Sequence, residues 1–139
     1  MPVVTVTRRL TFNAAHRVFI PGLSDSENAE IFGKCSNPNW HGHNYVLEVS
    51  VQGQIDERTG YVLDLAKLRD IVRNEITEKV DHKNLNLDVE FLRGVIPTAE
   101  NVVVAFWRIL ESRVAPGRLK RIRLRESENN WVEYKGDAR

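Results

Sequence analysis

Cysteine is almost missing from this chain: 139 residues hold 1, Cys35. A lone cysteine closes no intrachain disulfide, so nothing in the composition points to an oxidising compartment. An excess of one charge is missing too. With 20 basic and 19 acidic residues the formal charge is +1, without the basic excess expected of a nucleic-acid or membrane-surface partner. No apolar run approaches the ~20 residues of a membrane span. The opening MPVVTVTRRL lacks the apolar core of a signal peptide, and the expectation is a cytoplasmic protein. There is no repeat at a fixed period, low-complexity segment, linker, GxGxxG or P-loop pattern. What remains is ordinary globular composition, 42% hydrophobic and 28% charged, at a length expected to make one domain over residues 1–139.

Period-two patterning dominates the first third of the chain. Val4, Val6, Leu10, Phe12 and Ala14 alternate with Thr, Arg and Asn, which predicts a long half-buried strand with His16 at its end on the apolar face. Residues 17–40 lack a sustained period and read as a long loop, with room for a short helix near Ser26–Phe32. Alternation returns after Trp40: His41, His43, Tyr45, Leu47, Val49 and Val51 share one face. Asp64 caps a predicted helix with the stripe Leu65, Leu68, Ile71, Val72 and Ile76. Pro97-Thr98 opens a second, with Val102, Val103, Phe106, Ile109 and Leu110 inward, and Ala115-Pro116-Gly117 ends it. Two short strands follow, Lys120–Glu126 and a final WVEYK. The predicted order is β-β-α-α-β-β: an α+β domain with a four-stranded antiparallel sheet and two helices on one face. Its open edges and uncovered face favour assembly with copies of itself.

Four histidines and one cysteine carry the chemistry. His41 and His43, two apart on a strand, project from the same face. If the two long strands pair antiparallel, His16 meets them. Three neutral imidazoles suit Zn²⁺ and leave a fourth position open, as a catalytic zinc requires. A His-x-His pair alone more often packs or hydrogen-bonds; the third histidine on the matching face is what favours metal. Cys35 reads three ways: a fourth ligand closing a structural site, an inert small residue, or a thiolate favoured by nearby metal. Asp81-His82 is either a solvated helix end or a carboxylate orienting a proton-relaying imidazole. Glu126 is either a frayed strand end or a carboxylate at a pocket floor, able to accept two N–H donors from a pterin-like or guanine-like edge. The stripe Arg121, Arg123, Arg125 can attract phosphates, though such stripes are usually solvated sheet faces.

These motifs together resemble a known family. TFNAAH, GKCSNPNWHGHNY, GQIDERTG, VDHKNLN, PTAENV and RESENNWVEYKG, running from Thr11 to Gly136, are similar to those of the 6-pyruvoyltetrahydropterin synthase family. The resemblance implies a T-fold (tunnelling fold), in which three sheets form a barrel and two trimers stack into a homohexamer. It implies zinc on His16, His41 and His43, with Cys35 as catalytic base and not a ligand. Asp81 and His82 would come from a neighbouring subunit. Glu126 would anchor the pterin, with Thr98 and Glu100 lining the same pocket. The implied reaction converts 7,8-dihydroneopterin triphosphate to 6-pyruvoyltetrahydropterin with loss of triphosphate, in tetrahydrobiopterin-type biosynthesis. A relative, the 6-carboxytetrahydropterin synthase of queuosine biosynthesis, takes the same substrate and also loses acetaldehyde. That relative's cysteine lies nearer the His-Gly-His pair. Here the 5 residues SNPNW intervene, which favours the pyruvoyl product. Trp40, where the family often has glycine, and Ala99, where a hydroxyl residue often stands, depart from the pattern.

Overall fold

The two long strands predicted by alternation form one deep hairpin. In the computed structural model, which describes residues 1–137, β1 (Val3–His16) pairs antiparallel with β2 (His41–Gln54) from Val3↔Gln54 to His16↔His41. The period of two puts Leu10, Phe12 and Ala14 with Tyr45, Leu47, Val49 and Val51 on one buried face. Phe12 and Tyr45 sit opposite each other with stacked rings, centroids 4.7 Å apart. β4 (Arg118–Ser127) pairs with β2, and β5 (Asn130–Tyr134) with β4, both antiparallel.

The expected four-stranded sheet is corrected by a fifth strand among the described residues. β3 (Lys83–Asn84) lies parallel to β1, giving the order β3-β1-β2-β4-β5. Its amides and those beside it complete the edge of β1: His82 N–H donates to the Asn13 carbonyl and Leu85 N–H to that of Ala15. Two paired residues in a polar, Asn-rich stretch leave no alternating trace in the sequence.

The helix count is also larger than the expected two. The long loop contains α1 (Asp25–Phe32), started by a capping box between Ser24 and Glu27. The first predicted helix is divided into α2 (Leu65–Val72), a π-helical turn (Arg73–Thr77) and α3 (Glu78–Val80). Its fully buried residues Leu68, Val72, Ile76 and Val80 recur every fourth position. A spacing of 4 drifts around a 3.6-residue helix; one wider turn returns the stripe to the sheet. α4 (Ala99–Leu110) starts at Thr98, whose side chain accepts from Asn101 N–H, and buries Val102, Val103, Phe106 and Leu110. None of the described helices is long and apolar enough to cross a membrane.

Gly117 marks the tight entry to β4. Its φ is +84°, and a Cβ there would lie 2.9 Å from Val51 Cγ1 and 3.0 Å from the Gln52 carbonyl. Gly117→Ala combines left-handed strain with overpacking and is expected to destabilise by about 3 kcal/mol. Urea unfolding checks it; a loss below about 1 kcal/mol would mean the turn rearranges freely.

Candidate metal centre

The hairpin register brings three imidazoles together. His16 faces His41 across the ladder, and His43 is two residues further on the same side of β2. One ligand atom from each of the three lies within 4.8 Å of the others. Ring centroids are 4.5 Å apart for His16–His41, 5.1 Å for His16–His43 and 5.0 Å for His41–His43.

His16, 1% exposed, is fixed by a bond at its far edge: Nδ1 lies 2.8 Å from the Pro97 carbonyl. That carbonyl can only accept, so Nδ1 carries the proton and Nε2 presents a lone pair. Among the described residues, His16 Nε2, His41 Nδ1 and His43 Nε2 are buried without hydrogen-bond partners. Buried acceptors normally find partners, and three orphaned nitrogens converging on one point fit a divalent cation. Burial is the largest influence on all three imidazoles and pushes each pKa below the ordinary value; the Glu126 charge opposes it. The neutral, metal-binding form is thereby favoured.

Glu126, on β4, faces this cluster. Its carboxylate oxygens lie 3.9 Å from His16 Nε2 and 3.7 Å from His43 Nε2, beyond hydrogen-bond length. Cys35 is exposed and lies outside the three-histidine ligand group. It belongs to a short 3₁₀ turn (Gly33–Ser36) held against the strand end by main-chain bonds. Val18 N–H donates to the Cys35 carbonyl, Arg17 Nε to the Ser36 carbonyl, and the Ser36 hydroxyl to the Gly33 carbonyl.

Asp81 and His82, neighbours in sequence, do meet. His82 has a positive φ of 59°, which turns its ring so that Nδ1 is 3.0 Å from Asp81 Oδ1. The His82 side chain is 81% exposed. The Asn13 N–H, donating to Asp81 Oδ1 at 2.8 Å, is the first cause holding the Asp81 carboxyl below its usual pKa; His82 adds to it. A depressed carboxyl stabilises above its unfolded pKa, and that contribution is lost as pH falls through the folded value. The Asn13 amide is therefore expected to report a transition below the ordinary Asp value of about 3.9, seen by NMR titration. A midpoint at or above it would remove this tie. Thr98 and Glu100 occupy the start of α4: the Thr98 hydroxyl is engaged in capping, and Glu100 is exposed. Pro97, the residue before Thr98, is the one whose carbonyl holds His16.

Tyr45 is a site residue that alternation hid, because it reads as one more core position. It is 1% exposed, with its ring 5.5 Å from that of His43. Among the described residues its hydroxyl is buried with no partner. Burial first, then the Glu126 and Cys35 charges, push the phenol pKa far up, so it stays an O–H donor. An unsatisfied buried hydroxyl costs stability. Tyr45→Phe is accordingly expected to raise stability by about 1 kcal/mol in urea unfolding; a loss of that size would reveal a partner.

Trp40, immediately before His41, also has a positive φ, 68°. A large side chain in this region is uncommon and carries strain.

Comparison with known proteins places the chain in a family. Residues 5–137 match the family described as 6-pyruvoyl tetrahydropterin synthase. The chain is 47% identical over 132 residues to a 6-pyruvoyl tetrahydrobiopterin synthase of Pongo abelii, covering 95% of this chain and 91% of that protein. The structure of Caenorhabditis elegans 6-pyruvoyl tetrahydropterin synthase superposes with a TM-score of 0.91 at 43% identity, covering 99% and 98% of the two chains. A putative 6-carboxy-5,6,7,8-tetrahydropterin synthase of Archaeoglobus fulgidus is 36% identical over 126 residues, 90% of each chain.

Proposed function

This chain belongs to the 6-pyruvoyl tetrahydropterin synthase family, and from that premise we propose that it converts 7,8-dihydroneopterin triphosphate to 6-pyruvoyltetrahydropterin and triphosphate. The reaction is a carbon–oxygen lyase step with internal redox. The observation that carries the reading is the convergence of three orphaned imidazole nitrogens, with the exposed Cys35 thiol outside their group.

His16, His41 and His43 would hold the metal, taken here as Zn²⁺, which three histidines suit. When bound, such an ion supplies Lewis acidity toward substrate hydroxyls. Cys35 is the proposed base, its thiolate removing a proton from a side-chain carbon. Glu126 is the proposed pterin anchor, its two oxygens accepting from N3–H and the 2-amino group. Its proximity to the cluster supports this, because a ring held there lies next to the imidazoles. His82, oriented by Asp81, is the proposed second acid/base group, returning a proton on the opposite face. Proton transfers in both directions allow redox by tautomerisation, without nicotinamide or flavin. Thr98 and Glu100 are proposed to border the pterin pocket.

His82 is well exposed at the sheet edge, which supports its service in a site completed by a neighbouring copy. A cytoplasmic homohexamer of two stacked trimers, each chain one domain, is the assembly proposed. The reaction is tested by incubating purified protein with dihydroneopterin triphosphate, with and without reductant, and identifying the pterin by mass. A pyruvoyl side chain is expected. A carboxy side chain with acetaldehyde would move the protein to the 6-carboxytetrahydropterin reading, and no triphosphate release would end both.

A further inference from the structure

The sheet face turned away from the helices contains a second concave site, far along β2 from the histidines. Thr5, Thr7, Ser50, Lys120, Arg121 and Lys135 line a depression of about 270 Å³. Its lining is three hydroxyls and three cations, with no carboxylate.

A local irregularity builds it. In β4, Arg121 pairs with Ser50 but Leu119 pairs with Val51, so Lys120 is an extra residue in the ladder. Regular pleating sends adjacent side chains to opposite faces. The bulge instead leaves Leu119 and Ile122 both buried in the core while Lys120 and Arg121 both line the depression. Bulges are a standard way of re-aiming a side chain.

The floor is polar and the roof is close. Ser50 is 1% exposed although it lies on the face without helices. Its hydroxyl and that of Thr7 are 2.7 Å apart, so one of the two still has a proton to donate outward. Arg121 Nε is buried with no partner among the described residues. The ends of that guanidinium lie 3.9 Å from Glu48 and 3.5 Å from Glu133, too long for strong charge-assisted bonds. Both carboxylates belong to the neighbouring row, in register with Arg123. No ion pair among the described residues engages Lys120.

We propose that this depression is a binding site for a phosphate-class oxyanion, separate from the histidine centre. Cations converging with hydroxyl donors, and an unspent Nε, suit tetrahedral oxygens. The volume is below that of a drug-sized pocket and accommodates inorganic phosphate or a short polyphosphate.

The test is calorimetric titration at constant ionic strength with inorganic phosphate and with triphosphate, chloride serving as the matched salt. The proteins compared are the unaltered chain, Lys120→Gln, Arg121→Gln and His41→Ala. Loss of one charge-assisted contact is expected to weaken binding about ten-fold in Lys120→Gln and in Arg121→Gln, and to leave His41→Ala unchanged. Tighter binding of triphosphate than of phosphate would assign the site to polyphosphate chains; equal affinity would assign it to the free ion. Arg121 is the ladder partner of the buried Ser50, so folding of each variant is checked by its unfolding midpoint without anion. Lys120 is exposed, and Lys120→Gln alone decides the matter if Arg121→Gln unfolds. No phosphate or triphosphate binding, affinities equal across the face variants, or binding lost only in His41→Ala would overturn the site.

Discussion

Replacing Cys35 by alanine is expected to leave the metal bound and to lower turnover about 10²- to 10⁴-fold, the range a positioned general base supplies. The geometry separates the two readouts. The three ligand nitrogens come from strand residues, whereas the thiol stands on an exposed 3₁₀ turn outside their group. The turn itself is held by the Val18 amide, the Arg17 Nε and the Ser36 hydroxyl, none of which bonds the sulfur. Alanine therefore removes the proposed proton acceptor and keeps the loop. Metal analysis of the purified variant, beside measured triphosphate release, checks both halves. Expulsion of the metal would make Cys35 a ligand and remove it from the role of base. Full turnover with metal retained would place the base elsewhere.

His41→Ala is expected to take metal content from about one ion per chain to near zero, and activity with it, while the protein stays folded. The choice of histidine matters. His16 is fully buried and bonds the Pro97 carbonyl, so His16→Ala would strand that acceptor and cost about 1–3 kcal/mol besides losing a ligand. His41 is only partly buried, at the first position of its strand, and its Nδ1 has no partner among the described residues. Little folding energy rests on it. A metal-free His41→Ala with the unaltered unfolding midpoint of chelated protein would match this account. Collapse of the fold on chelation would instead describe a structural zinc, and retained metal in His41→Ala would break the three-histidine centre.

Much of this site was legible in the linear pattern because strand geometry is periodic. Alternation alone places His16 at the end of one strand and His41 and His43 at the start of another, on their apolar faces. Burying both faces at once then excludes a one-residue slip, which would expose them, and the structure sets the antiparallel register at His16↔His41. The helix starts at Asp64 and Thr98 were legible for a similar reason: capping is a local bond between a side chain and an amide two or three residues on. The motifs also identified the family.

The tertiary structure decided what sequence distance conceals. The loop path keeps Cys35 out of the ligand group while tying its carbonyl to Val18. The left-handed backbone at His82 turns two adjacent side chains toward each other, against the usual divergence. The wide turn after Val72, the two-residue strand at Lys83 and the bulge at Lys120 each correct a phase or complete an edge against a partner remote in the chain. Tyr45 has the alternation of any core residue, and only the packed site shows its hydroxyl without a partner. Periodicity and capping are settled over a few residues and can be read from them; the destination of a loop, the phase of a bulge and the satisfaction of a buried polar group depend on which distant atoms arrive.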